Sequence, residues 1–207
     1  YASNEAEAQR VVATLHATGH GAIAVRADVS RPDEVRALFD AAERELGRVD
    51  VLVNSAGHGP RAPVLDLTDD QWHEGMEVYF LNVVRATRAV VPLMAAQGGG
   101  AIINISSAWA FEPAATFPTS AVFRAGLASF AKLFADQHAG QNIRMNNVLP
   151  GWIDSLPATE ERRAMVPLGR YGTAGEIAAT VAFLASEGAA YITGQNLRVD
   201  GGLMRSV

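Results

Sequence analysis

Short polar segments follow several apolar, strand-like runs of this 207-residue sequence. They combine hydroxyl, amide and carboxylate groups with glycines, residue types that hydrogen-bond a ligand and let it approach the backbone closely. The segments are Asp28, NSAG (54–57), SS (106–107) and PGWIDS (150–155). If the runs before them are parallel strands of one sheet, all four segments meet at its carboxyl edge, where open α/β sheets bind ligands. The pattern therefore predicts one binding site built from four separate parts of the chain.

The elements that would position these segments alternate between strand-like and helix-like patterns. Apolar runs predict strands at 21–29, 49–54, 98–107, 143–151 and 194–202. Helices are predicted at about 4–19, 30–46, 68–97, 118–139 and 173–184. Side chains suited to N-capping begin four of these helices, namely Asn4, Ser30, Thr68 and Thr173. This alternation predicts a single α/β domain over 1–207, with a doubly wound, Rossmann-type parallel sheet covered by helices on both faces.

The composition excludes several classes of function. The chain carries 17 basic and 22 acidic residues, a net charge of −5, so neither a nucleic acid nor a membrane is expected as a partner. It contains no cysteine, which excludes a thiolate metal site and a cysteine nucleophile, and no metal is expected. No run of eighteen apolar residues and no signal peptide are evident, so we predict no membrane span and a cytoplasmic location.

Five segments, in order along the chain, resemble the short-chain dehydrogenase/reductase family. They are ADV (27–29), NSAG (54–57), IINISS (102–107), PGWIDS (150–155) and YITGQNLRVDGG (191–202). The resemblance implies an oxidoreductase that transfers hydride between a nicotinamide cofactor and a small carbonyl or alcohol. It assigns the following residues to the cofactor: Asp28, Val29, Asn54, Ala56, Gly57, Arg124, Pro150, Gly151, Ile153 and Ser155.

The resemblance also indicates which cofactor is preferred. Relatives that choose NAD tend to place an acidic residue just after the second strand of the family fold, and YASN (1–4) has none. Ser3 is placed to contact a 2′-phosphate, which favours NADP, with NAD as the alternative. The other interpretation of Ser3 and Asn4 is that they only cap the helix that follows.

The catalytic set departs from the family pattern of Asn, Ser, Tyr and Lys. Ser107 matches the serine, but TFPTSAVFRAGL (116–127) places Ser120 at the tyrosine and Arg124 at the lysine, and Tyr79 stands at the asparagine. A serine hydroxyl is a poor proton donor compared with a phenol whose pKa is lowered by a nearby cation. Tyr79 is either a relocated acid or a phenol that packs into the vacated space. The chain is therefore an enzyme with an atypical site or a non-catalytic relative that binds a nucleotide or pairs with an active protein.

Three residues are expected to face the substrate. His58 follows the NSAG turn, where it can relay protons or simply be solvated. Trp109 and Trp152 follow Ser107 and Gly151, and they suit a flat apolar or aromatic ligand unless they are ordinary wall packing. No residue type in this set identifies the substrate further.

The start of the sequence and its long helices carry two more expectations. The family opens with a strand, a glycine-rich turn, a helix and a second strand, and none of these precedes Tyr1 here. We therefore expect strand 21–29 to lack a neighbour, either in part of a chain longer by about 30 residues or in a chain whose partner fills the gap.

Relatives pair the helices at about 75–97 and 118–139, so a homodimer or homotetramer is expected. Apolar residues there serve either an interface or the core: Val83, Val84, Phe130, Leu133 and Phe134.

Overall fold

A parallel four-stranded sheet organises the chain in the computed structural model, which describes residues 1–55 and 57–206. The strands are β1 (Val51–Asn54), β2 (Gly100–Ile105), β3 (Ile143–Pro150) and β4 (Asn196–Val199), in the order β1-β2-β3-β4. All three neighbouring pairs are parallel. Parallel neighbours require crossover connections, and helices supply them. The predicted α/β fold with a Rossmann-type parallel sheet is confirmed.

Residues 1–55 and 57–206 form seven α-helices. They are α1 (Glu5–Ala17), α2 (Pro32–Leu46), α3 (Asp69–Met76), α4 (Asn82–Ala96), α5 (Pro118–His138), α6 (Glu160–Ala164) and α7 (Ala174–Ala185). The predicted N-caps at Asn4, Thr68 and Thr173 are confirmed, and the last two form capping boxes with Gln71 and Glu176. Ser30 is not a cap, because its hydroxyl donates to Asp28 and the N-cap position of α2 falls on Arg31.

Two hydrophobic layers enclose the sheet, one on each face. On one face Ile102 and Met145 pack with residues of α2, α4 and α5 such as Phe39, Val90 and Phe134. On the other face Ala101 and Ile103, the neighbours of Ile102 along β2, pack against α7. The residues of α7 in this layer are Ile177, Val181 and Leu184. Because side chains alternate along a strand, one short apolar run fills both layers.

The strand predicted at 21–29 is not formed. Tyr1 lies beside it: the Tyr1 amino group donates to the Val25 carbonyl and the Ala27 amide donates to the Tyr1 carbonyl, both at 2.9 Å. Within residues 1–55 and 57–206 the outer edge of β1 also has no ladder partner. Strand geometry needs a neighbour to pair its amides and carbonyls, so an apolar run alone does not make a strand here.

The long helix predicted from 68 to 97 is interrupted by one π-helical segment. Residues Glu77–Leu81 join α3 to α4, and the Asn82 amide donates to the Glu77 carbonyl five residues earlier. Such π turns insert one extra residue into a helix and are frequent at functional sites. Tyr79 lies in the middle of this segment, so the turn sets the direction of its side chain.

One helical run of the described residues, Asp69–Ala96, is long and apolar enough to cross a membrane by length and composition. The core helices of soluble proteins pass the same test, so length and composition alone do not make this run a membrane span. Val90 and Met94 of this run have no exposed surface and pack in the core beneath the sheet. The run therefore has a structural explanation within the fold.

Candidate active site

A cavity of about 500 Å³ opens at the carboxyl edge of the sheet. Ser55, Ser107 and Gly151 each line it, and they belong to the segments that follow β1, β2 and β3. Parallel strands bring their carboxyl ends to one edge, so residues distant in sequence meet there. The predicted convergence of these segments is what the structure shows.

The predicted site residues divide into those that line this cavity and those that do not. All the residues predicted for catalysis and substrate contact line it: His58, Tyr79, Ser107, Trp109, Ser120, Arg124 and Trp152. Six of the predicted cofactor residues do so as well: Gly57, Arg124, Pro150, Gly151, Ile153 and Ser155. Four do not, namely Ser3, Asp28, Val29 and Asn54. Ala56 lies outside the described residues.

Tyr79 is buried at the cavity wall, with 6% of its surface exposed. Its hydroxyl oxygen accepts a hydrogen bond from the Gly59 amide at 2.7 Å. No acceptor for the hydroxyl proton exists among residues 1–55 and 57–206. The hydrogen bond from Gly59 therefore fixes the position of the Tyr79 hydroxyl at the cavity wall.

Arg124 of α5 lies against the Tyr79 ring, with its guanidinium carbon 4.8 Å from the ring centroid. One guanidinium nitrogen donates to the Ile105 carbonyl at the end of β2. Its Nε is buried and has no partner in the described part of the chain. Burial lowers the pKa of Arg124 to about 10, so the side chain stays protonated at neutral pH. The site therefore keeps one buried positive charge where the family has a lysine.

Two serine hydroxyls accompany this pair. Ser107 follows β2 in extended backbone, and its hydroxyl accepts the Trp109 amide at 3.3 Å. Ser120 lies in the first turn of α5 and is 9% exposed. Its neighbour Thr119 donates to the Pro60 carbonyl at 2.9 Å, which ties the start of α5 to the loop after β1. Both hydroxyls are available to hydrogen-bond a substrate oxygen.

An aromatic wall forms the other side of the cavity. The Trp109 centroid lies 4.6 Å from that of Trp152 and 5.5 Å from that of Phe117. The Arg61 guanidinium stacks 4.7 Å above the Phe117 ring. Behind the wall Trp152 stacks on Tyr171, and its indole N–H is buried with no acceptor in the described ranges. The predicted role of the two tryptophans as cavity walls is consistent with this geometry.

Sequence reasoning missed Arg61 and Phe117 as cavity residues. Phe117 lies inside TFPTSAVFRAGL, three residues before Ser120, and Arg61 lies four residues after Gly57. Both segments adjoin motifs from which the sequence predicts site residues, namely Gly57 and Ser120. Only the fold shows that these two side chains meet, because loop direction is set by tertiary contacts rather than by spacing.

The four predicted residues outside the cavity are held by local contacts. The Asp28 carboxylate accepts the Ser30 hydroxyl at 2.7 Å and its amide at 2.9 Å, and these bonds hold the pKa of Asp28 below its usual value. Val29 packs against the core layer of α2 and α4. Ser3 is exposed beside Asn4, which caps α1.

Within the described residues no group of three or more metal-binding side chains occurs.

Asn54 belongs to a row of amides that crosses the whole sheet. Each side chain donates from Nδ2 to the Oδ1 of the next strand at 2.8 Å, in the order Asn54, Asn104, Asn147, Asn196. These four residues are register partners in the ladders. Asn104 and Asn147 have no exposed surface, so the row satisfies polar groups that would otherwise be costly to bury. The row fixes the register of the strand ends that lead into the cavity.

Comparison with known proteins places this site in a family. The family model described as Enoyl-(Acyl carrier protein) reductase matches residues 1–204. The chain belongs to the short-chain dehydrogenase/reductase family. A 3-oxoacyl-acyl-carrier-protein reductase of Synechocystis is 37% identical over 210 residues, which is 99% of this chain and 85% of that relative. The resemblance that the five segments indicate is confirmed.

Two further members of the family show how varied its relatives are. The cis-4-hydroxycyclohexanecarboxylate dehydrogenase of Sinomonas cyclohexanicum is 37% identical over 204 residues, which cover 94% of this chain and 82% of that relative. A blue fluorescent protein from a metagenomic library, solved in complex with NADPH, has a TM-score of 0.91 at 33% identity, covering 99% of this chain and 86% of that chain. Family membership therefore supports NAD(P) binding and oxidoreductase chemistry.

Proposed function

We propose that this chain is an NADP(H)-dependent oxidoreductase that interconverts a small carbonyl compound and its alcohol through an atypical catalytic set. One observation carries the proposal: Tyr79, Ser107 and Arg124 line the same cavity at the carboxyl edge of the sheet. A phenol, a hydroxyl and a buried cation are the groups that carbonyl reduction requires. The metagenomic relative solved with NADPH supports NADP, and NAD is the alternative.

The residues present fit the nicotinamide end of such a cofactor. Pro150, Gly151, Ile153 and Ser155 form one wall of the cavity. Arg124 has a buried Nε–H without a partner in the described ranges, and a ribose hydroxyl would satisfy it. A Cβ on Gly151 would lie 2.9 Å from the Asp200 Cα, so this loop passes close to the turn after β4. When bound, NADPH would supply the hydride.

Side chains of this protein would then hydrogen-bond the substrate oxygen and deliver the proton to it. The Ser107 hydroxyl would donate a hydrogen bond to the carbonyl oxygen and stabilise its developing negative charge. Tyr79 would deliver the proton, since its oxygen already accepts the Gly59 amide and its own proton has no acceptor in the described part of the chain. Arg124 would hold the Tyr79 ring in place, because its guanidinium carbon lies over that ring at 4.8 Å from the centroid. Ser120 would orient the substrate as a second hydrogen-bond partner.

The proposal is tested by following NADPH oxidation with a panel of small aldehydes and ketones. Turnover is expected for the wild type, and Tyr79→Phe is expected to lower kcat by about 10²–10⁴-fold, the usual contribution of a general acid. Tyr191→Phe is the matched control, because Tyr191 is fully exposed and far from the site in sequence. Ser107→Ala is expected to lower kcat as well, with the exposed Ser129→Ala as its control.

Two outcomes would contradict parts of this proposal. If Tyr79→Phe retains full turnover, Tyr79 only packs into the space beside Arg124. If the wild type binds NADPH saturably but turns over no carbonyl, the chain is a non-catalytic relative that holds a nucleotide. The absence of both binding and turnover would remove the cofactor from the proposal altogether.

The assembly and location follow as further parts of the proposal. We infer a homodimer or homotetramer, because Leu133 on α5 is 61% exposed and apolar. Val83, Val84 and Phe134 of the same two helices are buried in the core, so the structure separates them from Leu133. We place the protein in the cytoplasm, with a small-molecule substrate and with no nucleic acid or membrane as partner.

A further inference from the structure

The cavity has an unbalanced charge. Arg61 and Arg124 line it together with His58, and none of its described lining residues is acidic. The carboxylate next in sequence to the cavity, Asp154, accepts the Ala174 amide at 2.9 Å and so holds the start of α7. A cleft lined by one sign of charge attracts ligands of the opposite sign. The cavity therefore favours an anionic ligand.

Arg61 is the cation that is free to meet such a ligand. It has no hydrogen bond or ion pair within residues 1–55 and 57–206, whereas the neighbouring Arg124 is buried and donates to the Ile105 carbonyl. The Arg61 guanidinium carbon lies over the Phe117 ring, 4.7 Å from its centroid. The N–H fork of a guanidinium can pair with both oxygens of a carboxylate.

The aromatic wall adds a shape requirement beside this cation. Trp109, Phe117 and Trp152 lie within 6.3 Å of one another by ring centroid and present apolar surface to the cavity. A cavity of about 500 Å³ accommodates a ligand with one ring. A flat or puckered ring packs on such a wall through apolar contact.

We infer that the substrate of this site is a monocyclic carboxylate whose ring packs on Trp109, Phe117 and Trp152 and whose carboxylate pairs with Arg61. The inference rests on the proposed function, because it names the substrate class of the same cavity. Arg61 is then a specificity-determining residue, while proton transfer remains with Tyr79.

Binding measurements test this inference without requiring turnover. The purified chain is titrated with cyclohexanecarboxylate and with cyclohexanecarboxamide, with and without NADP⁺, by calorimetry and by quenching of tryptophan fluorescence. The carboxylate is expected to bind at least about ten-fold more tightly than the amide, the usual size of a charge-assisted hydrogen bond. Arg61→Met is expected to abolish that preference and leave the affinity for the amide unchanged. Arg61→Lys, which keeps the charge but loses the fork, is expected to lie between them.

The control variant is Arg36→Met. Arg36 is an exposed arginine on α2 that does not line the cavity, so its loss should leave both affinities unchanged. Equal affinity of the wild type for acid and amide, or binding of neither, would overturn the inference. It would also be overturned if Arg61→Met weakened NADP⁺ instead of the carboxylate, since the cation would then serve the cofactor.

Turnover separates this inference from the proposed function. Reduction of 4-oxocyclohexanecarboxylate by NADPH, with a KM raised about ten-fold or more in Arg61→Met at unchanged kcat, would support both. Carboxylate binding that depends on Arg61 without any NADPH oxidation would retain the ligand class and reject the oxidoreductase. Reduction of cyclohexanone and the keto acid with equal KM would retain the oxidoreductase and reject the ligand class.

Discussion

Gly59 leaves the space that the Tyr79 ring occupies. A Cβ at this position would lie 2.6 Å from Tyr79 Cε2 and 3.4 Å from the Thr119 hydroxyl. The same glycine donates its amide to the Tyr79 hydroxyl. One residue therefore sets both the position of the ring and the partner of its oxygen. The ring in turn supports the Arg124 guanidinium on its other side.

We predict that Gly59→Ala lowers the free energy of unfolding by about 1–3 kcal/mol, the usual cost of overpacking a well-filled site. The Tyr79 ring must move, so its hydrogen bond to residue 59 lengthens and turnover falls with it. Gly126→Ala is the control, because Gly126 lies in α5 with open space around it, and alanine favours a helix. Denaturant unfolding of both variants checks the prediction. Equal stability of Gly59→Ala and the wild type would show that the ring adapts freely.

At the scale of the element, the start of α7 depends on one carboxylate. Glu176 accepts the Thr173 amide at 2.8 Å and pairs with Arg170 at 2.6 Å. The hydrogen bonds from Arg170 and Thr173 lower the pKa of Glu176 to about 2. Because the pKa is lower in the folded chain than in the unfolded chain, these contacts stabilise the fold fully above the ordinary glutamate value. That stabilisation is lost as the pH falls towards 2.

We predict that Glu176→Gln is less stable than the wild type at pH 7 and that the difference shrinks between pH 5 and pH 3. The glutamine can still cap the helix, but it cannot pair with Arg170 as an ion. Thermal unfolding of both proteins across this pH range measures the difference. Glu43→Gln controls for the overall effect of low pH on stability, because the Glu43 side chain has no ion-pair partner in the part of the chain that the structure describes. A difference independent of pH would contradict the prediction.

Capping side chains in the sequence predicted three of four helix starts, and Ser30 failed because its hydroxyl donates to Asp28. Asn4, Thr68 and Thr173 cap helices as their residue types predict. The apolar run at 21–29 failed as a strand, because pairing depends on a neighbour that local sequence cannot supply. The π turn around Tyr79 also left no periodic signal, since one extra residue only shifts the apolar phase.

At the scale of the whole molecule, the family motifs predicted the location of the site but not its inner surface. Ser107, Ser120 and Trp152 reach the cavity because they follow parallel strands or open a helix beside them. Arg61 and Phe117 meet only because the loop after β1 packs against the start of α5, through the bond between Thr119 and Pro60. Contacts between distant loops are a property of the folded chain, and spacing within one loop does not reveal them.

The proposed self-association can be tested at an exposed apolar residue of α5. We predict that Leu133→Arg weakens self-association by at least about a hundred-fold, because an unpaired charge is costly to bury in an apolar contact. Leu65→Arg is the control, since Leu65 is more exposed but lies outside α4 and α5. Sedimentation equilibrium measures the mass of each variant. A monomeric wild type, or an unchanged mass for Leu133→Arg, would contradict the proposed interface.

The asparagine row also has a collective property. The three hydrogen bonds of the row run in the same direction, from Asn54 towards Asn196. Turning one amide over would set donor against donor on one side and acceptor against acceptor on the other, so the two buried members cannot turn singly. The row therefore has only two orientations, each shared by all four strands. It behaves as a single dipole that spans the sheet, with its oxygen end at β1 and its nitrogen end at β4.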